Sequence, residues 1–182
     1  MTGIDTGFVT DEGRRCDGIV RIDRGREAVY AAEESAVAGT DLDEPRPLGE
    51  LCRVADAVVS GDWWRAAGGP VVTVGAARAG TTSSRTVAAV GARDGVPVVV
   101  RLAPGQWSVA TVAHELAHAL AGVEHGHDGR FRAAHVDLVA MVGGAGPAAA
   151  LTASYADHRV PAGPRAWPPP VRATGTGFVI VP

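Results

Sequence analysis

The chain has 182 residues and a formal net charge of −3, enough for one sizeable buried core and short for two. That charge balance leaves no electrostatic footprint for a nucleic acid, and no apolar run approaches the roughly 20 residues that cross a bilayer. Neither a nucleic acid nor a membrane is therefore an expected partner. Lysine and asparagine are both absent while alanine, glycine and valine abound, which reads as the coding bias of a GC-rich genome rather than as function. Cys16 and Cys52 stand in unrelated contexts and read as free thiols, and the first residues lack the apolar stretch of a secretory leader, so a cytoplasmic location is expected.

Residues 1–25 carry glycine, threonine and mixed charge without a sustained period and read as a flexible arm, with a short strand at 18–23. Arg14, Arg15, Arg21, Arg24 and Arg26 are interleaved with Asp17, Asp23 and Glu27, the pattern of a solvated segment rather than a nucleic-acid arm. The domain is expected over 26–159. Its first two helices are predicted at 26–38 and 48–60, separated by the turn-rich Asp41-Leu42-Asp43-Glu44-Pro45-Arg46-Pro47. Trp63 and Trp64 follow, read as packing residues rather than a ligand grip.

Valine-rich stretches at 71–77, 86–92 and 96–103, with Arg93-Asp94-Gly95 as a hairpin connection, predict a small, mostly antiparallel sheet. Pro97 lacks a backbone donor, which makes 96–103 the expected edge strand, where an extended substrate could add as another strand. A helix then starts after Ser108, a good N-cap, and ends at Gly122. Two further helices are predicted at 130–142 and 147–158. Proline punctuates 160–182, read as an extended tail in which 177–181 can pair as a strand. The fold class is α+β.

The helix after Ser108 carries His114-Glu115-Leu116-Ala117-His118. Residues four apart stand one turn above each other, so both imidazoles can reach one metal ion, with Glu115 beside it as a base for a nucleophilic water. Val109, Val112, Ala113, Leu116, Leu120 and Val123 form an apolar stripe on the opposite side, which anchors the helix while the histidines face a cleft. A third ligand has to come from another segment. His127, four residues before Phe131, is the favoured one, because the aromatic can anchor the next helix while the histidine faces the metal. His125, and after it Glu124 or Asp137, are the alternatives, and a metzincin pattern through His125 fails by one residue in spacing. His135 lies on an apolar helix face and reads as a hydrogen-bonded core histidine.

The order of this helix, a short loop, and His127 with Phe131 opening an apolar helix resembles SprT-like zinc metallopeptidases. A closer likeness, over roughly 26–159, is to small actinobacterial metallohydrolases, in which a segment like Val29-Tyr30-Ala31-Ala32-Glu33 precedes a Trp-containing stretch and the histidine–glutamate helix. The resemblance implies a zincin-like fold, zinc as cofactor on His114, His118 and His127, and a catalytic Glu115. The expected activity is hydrolysis of a peptide or other amide bond, with a peptide or protein as substrate and Tyr155, His158 or Arg159 as oxyanion partner. Two alternatives are a non-catalytic, metal-stabilised binding module and a SprT-like protease of DNA-associated proteins.

Overall fold

A computed structural model describes residues 14–16, 19–21, 23, 25–87 and 97–170. Among them are six α-helices and a three-stranded mixed sheet, an α+β arrangement, and no helix is long and apolar enough to cross a membrane. Ahead of the first helix, β1 (Arg14–Cys16) and β2 (Ile19–Arg21) pair antiparallel, where only one strand was expected. The helices α1 (Arg26–Val37) and α2 (Leu48–Val59) fall where predicted. The short α3 (Asp62–Ala66) carries Trp63 and Trp64, both buried, with Nε1–H groups donating to the carbonyls of Pro168 and Pro70. Packing is thus their role, as expected.

The sheet departs from expectation in two ways. Its strands β3 (Val72–Ala76), β4 (Arg85–Val87) and β5 (Val98–Leu102) lie in the order β3-β5-β4, with β3 parallel and β4 antiparallel to β5. The sheet is mixed rather than mostly antiparallel, and β5 is its centre rather than its edge. The physical reason is burial: Val98, Val100 and Leu102 all turn inward, so the strand with the most apolar face takes partners on both sides. Pro97 stands just before the first paired residue, where its missing N–H breaks no ladder bond. Residues 88–92 and the Arg93-Asp94-Gly95 turn lie outside the described residues.

From β5 the chain runs through a 3₁₀ turn, Pro104–Gln106, into α4 (Val109–Ala121). Ser108 caps it by accepting the Thr111 N–H at 3.2 Å, and Gly122 ends it at φ +94°, a backbone conformation that side chains rarely adopt. The helix is buried on nearly every side, not along one stripe: Ala110, Ala117, Ala119 and Ala121 are covered as well as Val112 and Leu116. Helices α2 and α5 (Gly129–Gly143) and strands β4 and β5 surround it, and its alanines allow that close approach. Val123 belongs to the next 3₁₀ turn, Val123–His125. Leu102, Leu116, Leu138 and Leu151 are fully buried, each contributing roughly 1.5–3 kcal/mol of transfer free energy. The last helix, α6 (Ala145–Asp157), packs on α1 and α5.

The proline-rich segment that follows has no regular structure over 160–170, but it is strapped to the helices. Gly163 N–H donates to the Gly129 carbonyl at 2.8 Å, and a Cβ on Gly163 would lie 2.9 Å from the facing backbone. Arg165 grips the buried Asp137 carboxylate with two nitrogens, and the buried Trp167 donates to the same carboxylate at 2.9 Å. The strand expected at 177–181 lies outside the described residues.

Candidate metal centre

His114 and His118 stand one turn apart on α4, and His127 ends the loop between α4 and α5; one ring nitrogen of each lies within 4.8 Å of the others. The loop reverses through Gly122 and Gly126, both at positive φ, and Asp128 then caps α5 by accepting the N–H groups of Arg130 and Phe131. That turn returns His127 to the face of α4. Phe131, fully buried, forms the floor beneath all three imidazoles, with ring centroids 4.3 Å from His118, 4.8 Å from His127 and 5.0 Å from His114.

Two carboxylates hold the rings from behind. Glu33 Oε2 lies 2.8 Å from His114 Nδ1, and Asp23 Oδ2 lies 2.5 Å from His127 Nδ1. An ionised carboxylate only accepts, so each Nδ1 carries the proton and each Nε2 keeps a lone pair. The Nε2 atoms of His114 and His127 face one another at 3.2 Å, a distance at which two lone pairs repel unless a shared proton or a metal ion lies between them. Two nitrogens on one tetrahedral ion, at metal–nitrogen distances of roughly 2.0–2.1 Å, would stand about 3.3–3.4 Å apart. The residues therefore fit a metal ion.

The electrostatics agree. Burial, and then the neighbouring His114 and His127, push the His118 pKa well below its ordinary value, which keeps its lone pair available near neutral pH. Burial also lowers His114, against the opposing charge of Glu33. For Glu33 burial alone would raise the pKa, but His114 and His135 outweigh it and hold the carboxyl well below the usual range. Asp23 follows the same logic, with burial overcome by His127.

Glu115 is buried beside the cluster. The Thr86 hydroxyl, on β4, lies 2.6 Å from its carboxylate Oε2 and 2.8 Å from its backbone carbonyl, so β4 fixes the acid. A cleft of about 810 Å³ opens onto His114 and Glu115, with Tyr30, Trp107, Ser108 and Thr111 among its walls. Tyr30 stacks on His114, with centroids 5.3 Å apart and planes 7° from parallel. The arrangement can bind a cation and bring a polar substrate group against a fixed carboxylate.

Other candidates from the sequence are placed elsewhere. His125 turns to Asp128, with Nδ1 2.9 Å from Oδ2, and Asp137 is occupied by Arg165 and Trp167. Neither they nor Glu124 join the three-histidine group. His135 is a fully buried core histidine, as expected, with Nδ1 2.7 Å from the Tyr155 hydroxyl. It forms a second close group with Glu33 and His114, but Glu33 already accepts the His114 Nδ1 proton, so this group supports the first rather than holding an ion of its own. Of the expected oxyanion partners, Tyr155 is buried with its hydroxyl 2.7 Å from His135 Nδ1, and none of Tyr155, His158 and Arg159 is among the residues lining the cleft.

Four residues at the site were not singled out for it by sequence: Asp23, Tyr30, Glu33 and Thr86. Tyr30 and Glu33, three apart on α1, meet the same imidazole, and the only signal was their place in the segment on which the sequence resemblance was based. Compared with protein-family models, curated proteins and solved structures, the chain matches none.

Proposed function

We propose that the chain is a zinc-dependent metallohydrolase of zincin-like architecture that cleaves a peptide or other amide bond. The carrying observation is the convergence of three imidazoles, two of them 3.2 Å apart at Nε2 and each of those two held at Nδ1 by a carboxylate, next to a buried glutamate on an open cleft. His114, His118 and His127 would hold the ion, and three neutral imidazoles suit zinc. When bound, zinc supplies a Lewis acid that polarises a carbonyl and makes water easier to deprotonate.

The chain's own residues do the rest. Glu115 accepts the proton of the attacking water and returns it to the leaving nitrogen, a role that depends on its carboxylate being held in place, which the Thr86 hydroxyl does. Tyr30 and Trp107 flank the way in and give an acyl substrate apolar surface to lie against. With β5 central, an extended substrate would pair with an end strand, and of the two among the described residues, β3 and β4, it is β4 that holds Glu115. The kinship with SprT-like metallopeptidases and actinobacterial metallohydrolases belongs to this same reading. A metal-stabilised binding module would use the same histidines but gives no reason for a glutamate fixed on the cleft.

The test is a cleavage profile of a peptide library and a cell lysate with zinc-loaded wild type and Glu115→Gln. The proposal predicts products from wild type only, with equal zinc in both proteins. Turnover unchanged in Glu115→Gln would contradict it.

A further inference from the structure

From Glu33, on the wall of the cleft beside His114, a line of buried polar groups runs into the core and joins four helices. Glu33, on α1, takes the His114 Nδ1 proton on one oxygen, while its other oxygen lies 3.4 Å from His135 Nε2 on α5. His135 Nδ1 in turn lies 2.7 Å from the Tyr155 hydroxyl on α6. His135 and Tyr155 are wholly inaccessible, and the Glu33 side chain is 12% exposed. At 3.4 Å the link between Glu33 and His135 is too long and oblique for a full hydrogen bond, so it acts mainly through charge. No other acceptor meets His135 Nε2 among the described residues.

The proton positions along this line follow from what each group can donate. A neutral imidazole has one N–H and one lone pair. Were the His135 proton on Nδ1, its Nε2 lone pair would face an ionised carboxylate in a low-dielectric interior. With the Tyr155 hydroxyl donating to Nδ1, the proton lies on Nε2 and faces Glu33 instead. Glu33, held there, can only accept from His114 Nδ1, and that puts the His114 lone pair on Nε2, directed at the histidine cluster.

We infer that Tyr155 and His135 are positioning residues: acting through Glu33, they fix the tautomer and ring orientation of His114, so that a lone pair faces the cluster before any ion arrives. The value of this to metal binding rests on the proposed function. The tautomer order does not, and it can be read without metal. Preorganising a ligand in this way matters because a ring free to flip or to protonate on Nε2 must be reset each time an ion binds.

Long-range ¹H–¹⁵N imidazole spectra of the metal-free protein near pH 7.5 test the order directly. Wild type is expected to show His135 protonated on Nε2 and His114 on Nδ1, with His135 becoming a tautomer mixture in Tyr155→Phe. The Tyr155→Phe change removes one oxygen and keeps the ring, so the fold should persist, which far-ultraviolet circular dichroism checks. Zinc competition with a chromophoric chelator then reads the consequence. Glu33→Gln is expected to weaken zinc binding about 10- to 100-fold, and Tyr155→Phe about three- to ten-fold. In the Glu33→Gln background Tyr155→Phe should add nothing. His114 protonated on Nε2 in wild type, or an equal effect of Tyr155→Phe with and without Glu33, would overturn the inference. The expected tautomers in a wild type that fails to bind zinc would support the chain and count against the metal centre.

Discussion

Asp23 lies ahead of the first helix, in a segment whose sequence reads as a flexible arm, yet its carboxylate is 2.5 Å from Nδ1 of His127. Replacing it by alanine removes the group that keeps the His127 proton on Nδ1 and its lone pair towards the cluster. Carboxylates that orient a metal-bound histidine contribute about 10- to 100-fold in metal affinity, or about 1.4–2.8 kcal/mol. The Asp23 side chain is one-third exposed, so water can take part of its place, and the lower end, about ten-fold, is expected for Asp23→Ala. Asparagine keeps an acceptor oxygen without the charge and should fall between, at about three-fold. Chelator competition at pH 7.5 measures this, with the exposed cleft residue Glu34 changed to alanine as the control that should leave affinity unaltered. Wild-type zinc affinity in Asp23→Ala would refute the reasoning.

Three further outcomes follow from the geometry. Phe131→Ala removes the floor of the site and should cost about 3–5 kcal/mol in urea unfolding, whereas Phe131→Leu fills most of the space and should cost less than half of that; equal losses would contradict the packing role. Asp137→Ala strips the strap of its anchor for both Arg165 and Trp167, and about 2–3 kcal/mol of stability should go with it, measured the same way. The metal-free protein should weaken in acid in two stages. His114 and His118 lie below their ordinary 6.5, so the unfolded chain binds more protons as pH falls below about 6.5; Glu33, depressed from 4.5, adds a second loss below about 4.5. Urea midpoints should hold from pH 8 to about pH 7 and fall from there to about pH 3, and a maximum near pH 5 would be inconsistent with those shifts.

The parts of the structure that were legible in the sequence are those written in local chemistry. Ser108 and Gly122 bracket α4 because a cap needs only its own neighbours, and the four-residue spacing of His114 and His118 sets their common face whatever packs around them. His127 was reachable because a glycine-rich turn and Phe131 limit where the loop can go. Strand order was not legible: valine content marks β3, β4 and β5, but which one becomes central depends on the other side of the core. The same holds for the supporting groups. Asp23 and Glu33 are 104 and 81 positions away from the histidines they orient, and Tyr155 is 20 from His135, separations at which no periodicity survives. Proline in 160–170 told that the segment is not helical, and nothing in it told that Arg165 and Trp167 dock on Asp137.

Metal content measured on purified protein reaches the three-histidine centre most directly. Wild type and His125→Ala should each bind one zinc ion per chain, His114→Ala and His118→Ala should lose it, and His127→Ala should hold it far more weakly. Stoichiometric zinc surviving in His114→Ala and His118→Ala, or lost in His125→Ala but kept in His127→Ala, would contradict the site.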